Sequence, residues 1–312
     1  MKTKIFKLAS ILCLLLLIAA SVSAQESKYL VPDFSFGVAA DPQYVDADPG
    51  GPVGTRYYRA SVEKLENAVN HFNEARLAFA IELGDMIDHN VDSSYKIMNN
   101  VWDKLNIPHY QVIGNHDFGG IEGEKTREYV LPLLGLKRGY YDFVYQGWRF
   151  VVLDCSDLSM FGNPKGSDNY NKAKGEYDEL KARGIINAQV WNGGLSEEQI
   201  TWLRQTLQKA TDAGEKAIVF CHIPLFPPNQ HNLWGNNRIM KILESYPCVM
   251  AYVDGHNHAG NYGVKNGIHY LNLHGMCETP ENNAYAIFEV YKDHIRVIGN
   301  GREPNRILPF LR

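Results

Sequence analysis

Past residue 24, this chain of 312 residues lacks any apolar run approaching the roughly 20 residues of a membrane span. It also lacks a G-x-S-x-G nucleophile elbow and a Walker-type phosphate loop, so neither covalent serine chemistry nor a nucleotide loop is indicated. Internal repeats, low-complexity tracts and linkers are absent too, and the chain reads as one domain. Cysteine is scarce. Of five, the four beyond position 24 (Cys155, Cys221, Cys248 and Cys277) show no C-x-x-C spacing and lie in or beside apolar runs. They read as buried free thiols, although export would permit a disulfide. Positive charge is short as well. The first 24 residues hold three of the 31 Lys and Arg and none of the 35 Asp and Glu, leaving 28 against 35 and a formal charge of −7. That balance argues against nucleic-acid binding by electrostatics.

What the chain does have begins with an address. Lys2, Lys4 and Lys7 precede an apolar run from Ile11 to Ala20, and Ser21-Val22-Ser23-Ala24 follows with small residues. This is the layout of a secretory signal peptide over residues 1–24, with cleavage expected after Ala24. Cys13 follows Leu12 rather than a small residue, so no lipid anchor is expected. The expected product spans residues 25–312, is exported to a periplasm or the exterior, and has no membrane attachment. Its 288 residues suffice for one large core.

Along that product, short apolar runs alternate with amphipathic stretches. Asp33 to Ala40 reads as a strand, and Val62, Leu65, Ala68, Val69 and Phe72 then mark one face of a helix. Leu77 to Ile81, a helix around Tyr95 to Leu105, and Tyr110 to Ile113 complete a strand–helix–strand–helix–strand series, which implies parallel strands. A strand from Arg149 to Leu153 leads into a polar Asn-, Gly- and Lys-rich stretch, 156–194, expected as an insertion or lid. Ser196 then caps a helix through Leu207, and strands follow at Ala217 to Phe220 and Val249 to Val253. Ile268 to Leu273, Ala284 to Tyr291 and His294 to Ile298 are expected to form an antiparallel second sheet.

Five of these strands end in the same chemical way. Asp41 with Gln43, Gly84-Asp85, Gly114-Asn115-His116-Asp117, His222, and Gly255-His256-Asn257-His258 each follow an apolar run. Taken singly, each has an ordinary reading: a helix cap, a surface turn, a satisfied core histidine. Together they place oxygen and imidazole donors where open α/β sheets bind ligands, beyond the carboxyl ends of their strands. Donors without thiolates suit Mn, Fe or Zn better than a soft metal, and their number exceeds what one ion needs. Two ions sharing a carboxylate fit the count, the arrangement used for in-line displacement at phosphorus. His71, His89, His109, His231, His269, His274 and His294 are left as surface or core residues.

These five blocks, in this order across nearly the whole product, resemble the calcineurin-like metallophosphoesterases. The resemblance implies an α/β fold, a two-sheet β-sandwich flanked by helices in αββα layers with a dimetal site at strand carboxyl ends. It implies that Asp41, Gln43 and His258 bind one metal, that Asn115, His222 and His256 bind the other, and that Asp85 bridges. His116 would be the catalytic histidine that meets substrate without binding metal. Gln43 stands where the family usually has His, and its harder amide oxygen favours Mn or Mg over Zn. Ala40-Asp41-Pro42-Gln43-Tyr44, Arg56-Tyr57-Tyr58-Arg59, Glu278-Thr279-Pro280 and Gly301-Arg302 are similar to the manganese-dependent ADP-ribose/CDP-alcohol diphosphatases. A purple acid phosphatase is disfavoured, because Asp88 stands where that group has an iron-binding Tyr. The expected cofactors are two divalent ions, Mn ahead of Fe, Mg or Zn. The expected reaction is cleavage of an ADP-ribose- or CDP-alcohol-like diphosphate by metal-activated water. A broad exported phosphodiesterase or phosphomonoesterase is the second reading, and a non-catalytic binding protein the third. Tyr44, Tyr57 and Trp234 are candidates to stack on a nucleobase, and Arg56 or Arg59 to hold a phosphate.

Overall fold

Phe34–Ala39 is a run of six buried residues with no charge, and it forms β1 at the centre of a sheet. The computed structural model describes residues 31–120 and 123–312; the leader assigned to residues 1–24 lies outside the described residues. β2 (Phe79–Glu82) and β3 (His109–Gln111) lie parallel on one side of β1, with Phe36 opposite Phe79 and Ala80 opposite His109. The intervening α1 (Ala60–Glu74) and α2 (Val91–Trp102) are the crossovers. α1 turns Leu65, Ala68, Val69 and Phe72 onto the outer face of this sheet, a stripe at helical spacing.

After α3 (Arg127–Leu133) the chain enters a second sheet. β4 (Tyr141–Tyr145) pairs antiparallel with β5 (Trp148–Val152), and β6 (Lys216–Phe220) and β7 (Val249–Asp254) then add in parallel. α4 (Asp168–Ala182) precedes α5 (Glu197–Asp212) and α6 (Asn236–Glu244), and the last two cover the outer face of this sheet. β8 (Ala259–Lys265) is an edge strand, and β9 (Ile268–His274) sits between it and β7. β10 (Ala284–Val290), β11 (His294–Gly301) and β12 (Arg306–Pro309) return to the first sheet, β10 antiparallel to β1.

The expected layers are present, two six-stranded mixed sheets face to face with helices outside. One expectation needs correcting. The strands near 268–273, 284–291 and 294–298 do not make a sheet of their own. β9 pairs parallel with β7 in the second sheet, while β10 and β11 extend the first. Alternation fixes which face of a strand is buried and says nothing about its partner. Between the sheets, Phe36 stacks on Phe79 at 4.8 Å, and both meet Phe150 of the opposite sheet, at 5.7 and 4.9 Å. This aromatic layer fixes how the two sets of strand ends meet. The four cysteines among the described residues are free and buried.

Candidate metal centre and substrate cavity

Parallel strands from both sheets end at one place. Asp41 and Gln43 follow β1, Asp85 follows β2, Asn115 and His116 follow β3, His222 follows β6, and His256 and His258 follow β7. Gln43 Nε2 donates to Asp85 Oδ2 at 2.8 Å, and His222 Nε2 lies 3.2 Å from that same oxygen. His222 Nε2 is also 3.1 Å from Asn115 Oδ1 and 3.2 Å from His256 Nδ1. His258 Nε2 lies 3.3 Å from Asp41 Oδ1, and His222 Nε2 lies 4.0 Å from it. The structure therefore brings together all seven residues expected as ligands, six of them buried, with His116 at the rim.

The backbone is bent to do this. Asp41, Gln43, Asp85 and His256 have φ of 53°, 45°, 60° and 66°, the left-handed region, which costs a non-glycine residue about 1–3 kcal/mol. The surrounding contacts hold them there. Gln43 N donates to Asp85 O at 2.8 Å, and His256 N donates to the Asp41 carboxylate at 3.0 Å. His116 N donates to Asp85 Oδ1 at 2.7 Å. Two glycines are required by close approach. A Cβ on Gly114 would stand 2.2 Å from Asp85 Oδ1, and one on Gly255 would stand 2.5 Å from Asp41 Oδ2.

Each histidine has one ring nitrogen fixed by an acceptor and the other turned inward. His222 Nδ1 donates to Leu83 O at 3.0 Å, His256 Nε2 to Asn192 Oδ1 at 2.9 Å, and His258 Nδ1 to Glu278 Oε1 at 2.8 Å. The remaining nitrogens, His222 Nε2, His256 Nδ1 and His258 Nε2, face the centre, where a metal ion would take the place of any proton they carry. This is how metal-ligating histidines are set. Among the described residues, His258 Nε2 and Asn115 Nδ2 are buried with no hydrogen-bond partner. Gln43 presents its other amide end to Cys277 Sγ at 3.5 Å, and a half-turn of the amide exchanges which end faces Asp85. Inward-facing imidazole nitrogens around two carboxylates are a donor set that a divalent cation satisfies.

The electrostatics agree. Burial opposes ionisation of Asp85, yet His222, then His116, hold its carboxyl well below the usual carboxylate range. Burial likewise opposes a charge on His222, but Asp85 and Asp41 beside it push the ring up to about 9. His258 is raised despite burial, chiefly by Cys277 and Asp41. His256 is pushed down by burial and by the neighbouring His222 and His231. Protons on His222 and His258 thus balance the two carboxylates, and a divalent ion would do so by displacing them.

His116 belongs to a different set. Its Nδ1 lies 2.8 Å from Asp88 Oδ1, so a carboxylate orients the ring. His116 opens onto a cavity of about 460 Å³ with Asp85, Asn115 and His256 at its base and Pro52, Arg56, His89, Trp191, Gln230 and His231 around its wall. Of the residues considered for substrate, Arg56 is in this wall. Tyr44 is instead packed in the core under α1 and α2, Trp234 lines a separate cavity with Arg238, and Arg59 is exposed and paired with Asp46 and Asp48. Tyr57 is not among the lining residues. The aromatic wall is Trp191 with His231, ring centroids 6.3 Å apart, and His231 is 5.4 Å from His256.

Sequence reading missed Asn192, Trp191 and His231 as site residues. The first two close the 156–194 stretch, where polar composition reads as loop. That stretch is stitched to the segment after His222, with Asn192 Nδ2 donating to Gln230 O at 2.8 Å and Asn187 Nδ2 to Leu233 O at 2.8 Å. It forms a wall of the site.

Comparison with known proteins bears on this geometry. The calcineurin-like phosphoesterase family matches residues 34–260. The chain is 30% identical to the manganese-dependent ADP-ribose/CDP-alcohol diphosphatase of Mus musculus, covering 90% of this chain and 94% of the mouse protein. It is 32% identical to the enzyme of the same name from Arabidopsis thaliana, over 87% of this chain and 95% of that one. Among solved structures, a dimetal phosphatase from Danio rerio superposes with a TM-score of 0.81 at 27% identity, covering 89% of this chain and 99% of that one.

Proposed function

The chain belongs to the calcineurin-like phosphoesterases and is a metal-dependent phosphohydrolase, and from that premise we propose a diphosphatase. Its substrate is an ADP-ribose- or CDP-alcohol-like molecule, and its cofactors are two divalent ions, manganese first. The observation that carries this reading is the fixing of His222, His256 and His258 on Leu83 O, Asn192 and Glu278, with their free nitrogens turned toward Asp41, Asp85 and Asn115. Asp41, Gln43 and His258 would hold one ion, Asn115, His222 and His256 the other, and Asp85 would lie between them. Ions so placed supply Lewis-acid charge to a phosphoryl group and lower the pKa of water. The amide of Gln43 in place of an imidazole favours Mn or Mg over Zn.

The chain's own residues do the rest. Asp88 holds the His116 ring with Nε2 free for the cavity, where it binds a non-bridging oxygen or protonates the leaving group. A phosphate leaving group, with its second pKa near ~6, needs little protonation. Strand-end rigidity and the left-handed turns keep the donors in position, so little reorganisation accompanies reaction. Trp191 and His231 offer ring faces to a base at the cavity wall.

A panel of ADP-ribose, CDP-choline and nitrophenyl phosphate mono- and diesters, assayed with Mn, Mg and Zn, tests this. Preference for the diphosphates with Mn is expected. Nitrophenyl esters turned over best would indicate a broad phosphoesterase, and no turnover with metal bound would indicate a binding protein. The basic and apolar leader at residues 1–24 supports export of the enzyme. Sequencing the mature amino terminus from a native host checks it, with Gln25 the expected first residue and an intact Met1 the result that removes the idea.

A further inference from the structure

We propose that Arg56 and His89 clamp the second phosphate of the substrate, the one farther from the metal centre; this rests on the diphosphate reading. Asp88 is the organising group. It is 4% exposed, and beyond His116 it holds His89 through Nδ1 at 2.5 Å from Oδ2 and faces Arg56 Nη1 at 3.6 Å from Oδ1. One buried carboxylate therefore stands beside three cationic or imidazole side chains, and all three line the same cavity.

His116 is committed to the reacting phosphate by its place beside Asp85 and Asn115. Arg56 and His89 have no task in holding the ions. Arg56 is mostly buried, its contact with Asp88 is longer than a hydrogen bond, and its Nε has no partner among the described residues. An arginine in this state keeps the planar donor fork that suits two phosphate oxygens. His89 is half-exposed, and its ring centroid lies 6.4 Å from that of His116, so the two imidazoles stand side by side along the wall. Its Nδ1 is occupied by Asp88, which leaves Nε2 for a ligand. Gly120 lies against that nitrogen and could not carry a side chain, since a Cβ there would stand 2.7 Å from it.

Charge makes the case for a clamp. The two ions balance one phosphate, and a second one needs its own counter-charge in a chain of net negative charge. Arg56 supplies a cationic donor fork on the side away from the metals, with the His89 ring beside it in the cavity lining. A monoester has no group to place there.

The test is binding of imidodiphosphate, a non-hydrolysable diphosphate, against orthophosphate, by calorimetry on the Mn-loaded protein. Wild type is expected to prefer imidodiphosphate by about tenfold or more, the worth of one charged hydrogen bond. H89Q and R56M are each expected to bring that ratio toward unity, and R56K to restore it only in part, because lysine lacks the fork. His89 is on the surface, so H89Q tests the idea even where an Arg56 variant fails to fold. Wild type without preference, or both variants keeping the wild-type ratio, overturns the clamp. Absence of ADP-ribose or CDP-choline turnover overturns the substrate reading instead, and the anion ratio does not depend on that outcome.

Discussion

Asn192 Oδ1 accepts the Nε2 proton of His256 at 2.9 Å, and so the 156–194 segment sets which nitrogen of a strand-end histidine faces the metal centre. Asn192 is itself held in register, with Nδ2 donating to Asn187 O and Gln230 O. The orientation of His256 therefore depends on two loops that are far apart in sequence and adjacent in space.

Asn192→Leu removes the acceptor and frees the ring to rotate or change tautomer. Loss of such a partner costs about 10–100-fold in metal affinity or activity. Mn affinity by chelator competition is the measurement. Asn192→Asp keeps an acceptor and should recover part of the loss. Wild-type affinity in the leucine variant would show that His256 needs no fixing from this segment.

His116→Ala should separate substrates by their leaving groups. An alkyl phosphodiester expels an alkoxide and needs a proton, so general-acid loss of about 10²–10⁴-fold is expected there. A diphosphate expels a phosphate and should lose far less. Asp88→Asn, which weakens the ring's orientation, should give the same ranking at smaller amplitude. Steady-state rates on paired substrates decide it, and equal losses on both would leave His116 as an oxyanion-binding group only.

Gly114→Ala tests how tightly the strand ends are packed. The added methyl would fall 2.2 Å from Asp85 Oδ1, so either the β3 turn or the carboxylate must move. A displacement near 1 Å at a reacting centre can cost about 10²-fold, and most of the loss should be in kcat. The aromatic layer between the sheets is remote from the change and should hold the fold together, leaving the far-ultraviolet circular dichroism unaltered. An alanine variant with full activity would mean the turn relaxes without moving Asp85.

The residues gathered at the strand ends were legible in the sequence because each sits at the end of an apolar run, where periodicity stops and a polar residue has no structural need to be. The helices at 60–74 and 197–212 were legible for the converse reason, an unbroken stripe. Sheet membership was not. β9 and β10 are both nearly continuous buried runs, yet one joins β7 in parallel and the other joins β1 antiparallel, a choice made by the chain path between them. Asn192, Trp191, His89 and His231 were hidden for a different reason. Their roles arise from what they touch, and nothing local to them distinguishes a wall residue from a polar loop.

Metal loading should release protons, and the signs follow from His222 and His258. Without an ion both rings are raised, His222 to about 9, against an unfolded value near ~6.5. A raised histidine stabilises the fold fully below ~6.5, and that contribution is lost as pH climbs through about 9. The metal-stripped protein should therefore melt lower at pH 9.5 than at pH 6.5 as far as these groups act. The Mn-loaded protein, whose ligating rings are already neutral, should lack this loss. Apparent Mn affinity should fall as pH drops below about 9, since each displaced proton then competes with the ion. Calorimetry of Mn binding in buffers of different ionisation enthalpy counts the protons at pH 7. A count of zero would mean that the histidines are neutral before the metal arrives, and that the two carboxylates are balanced by some other means.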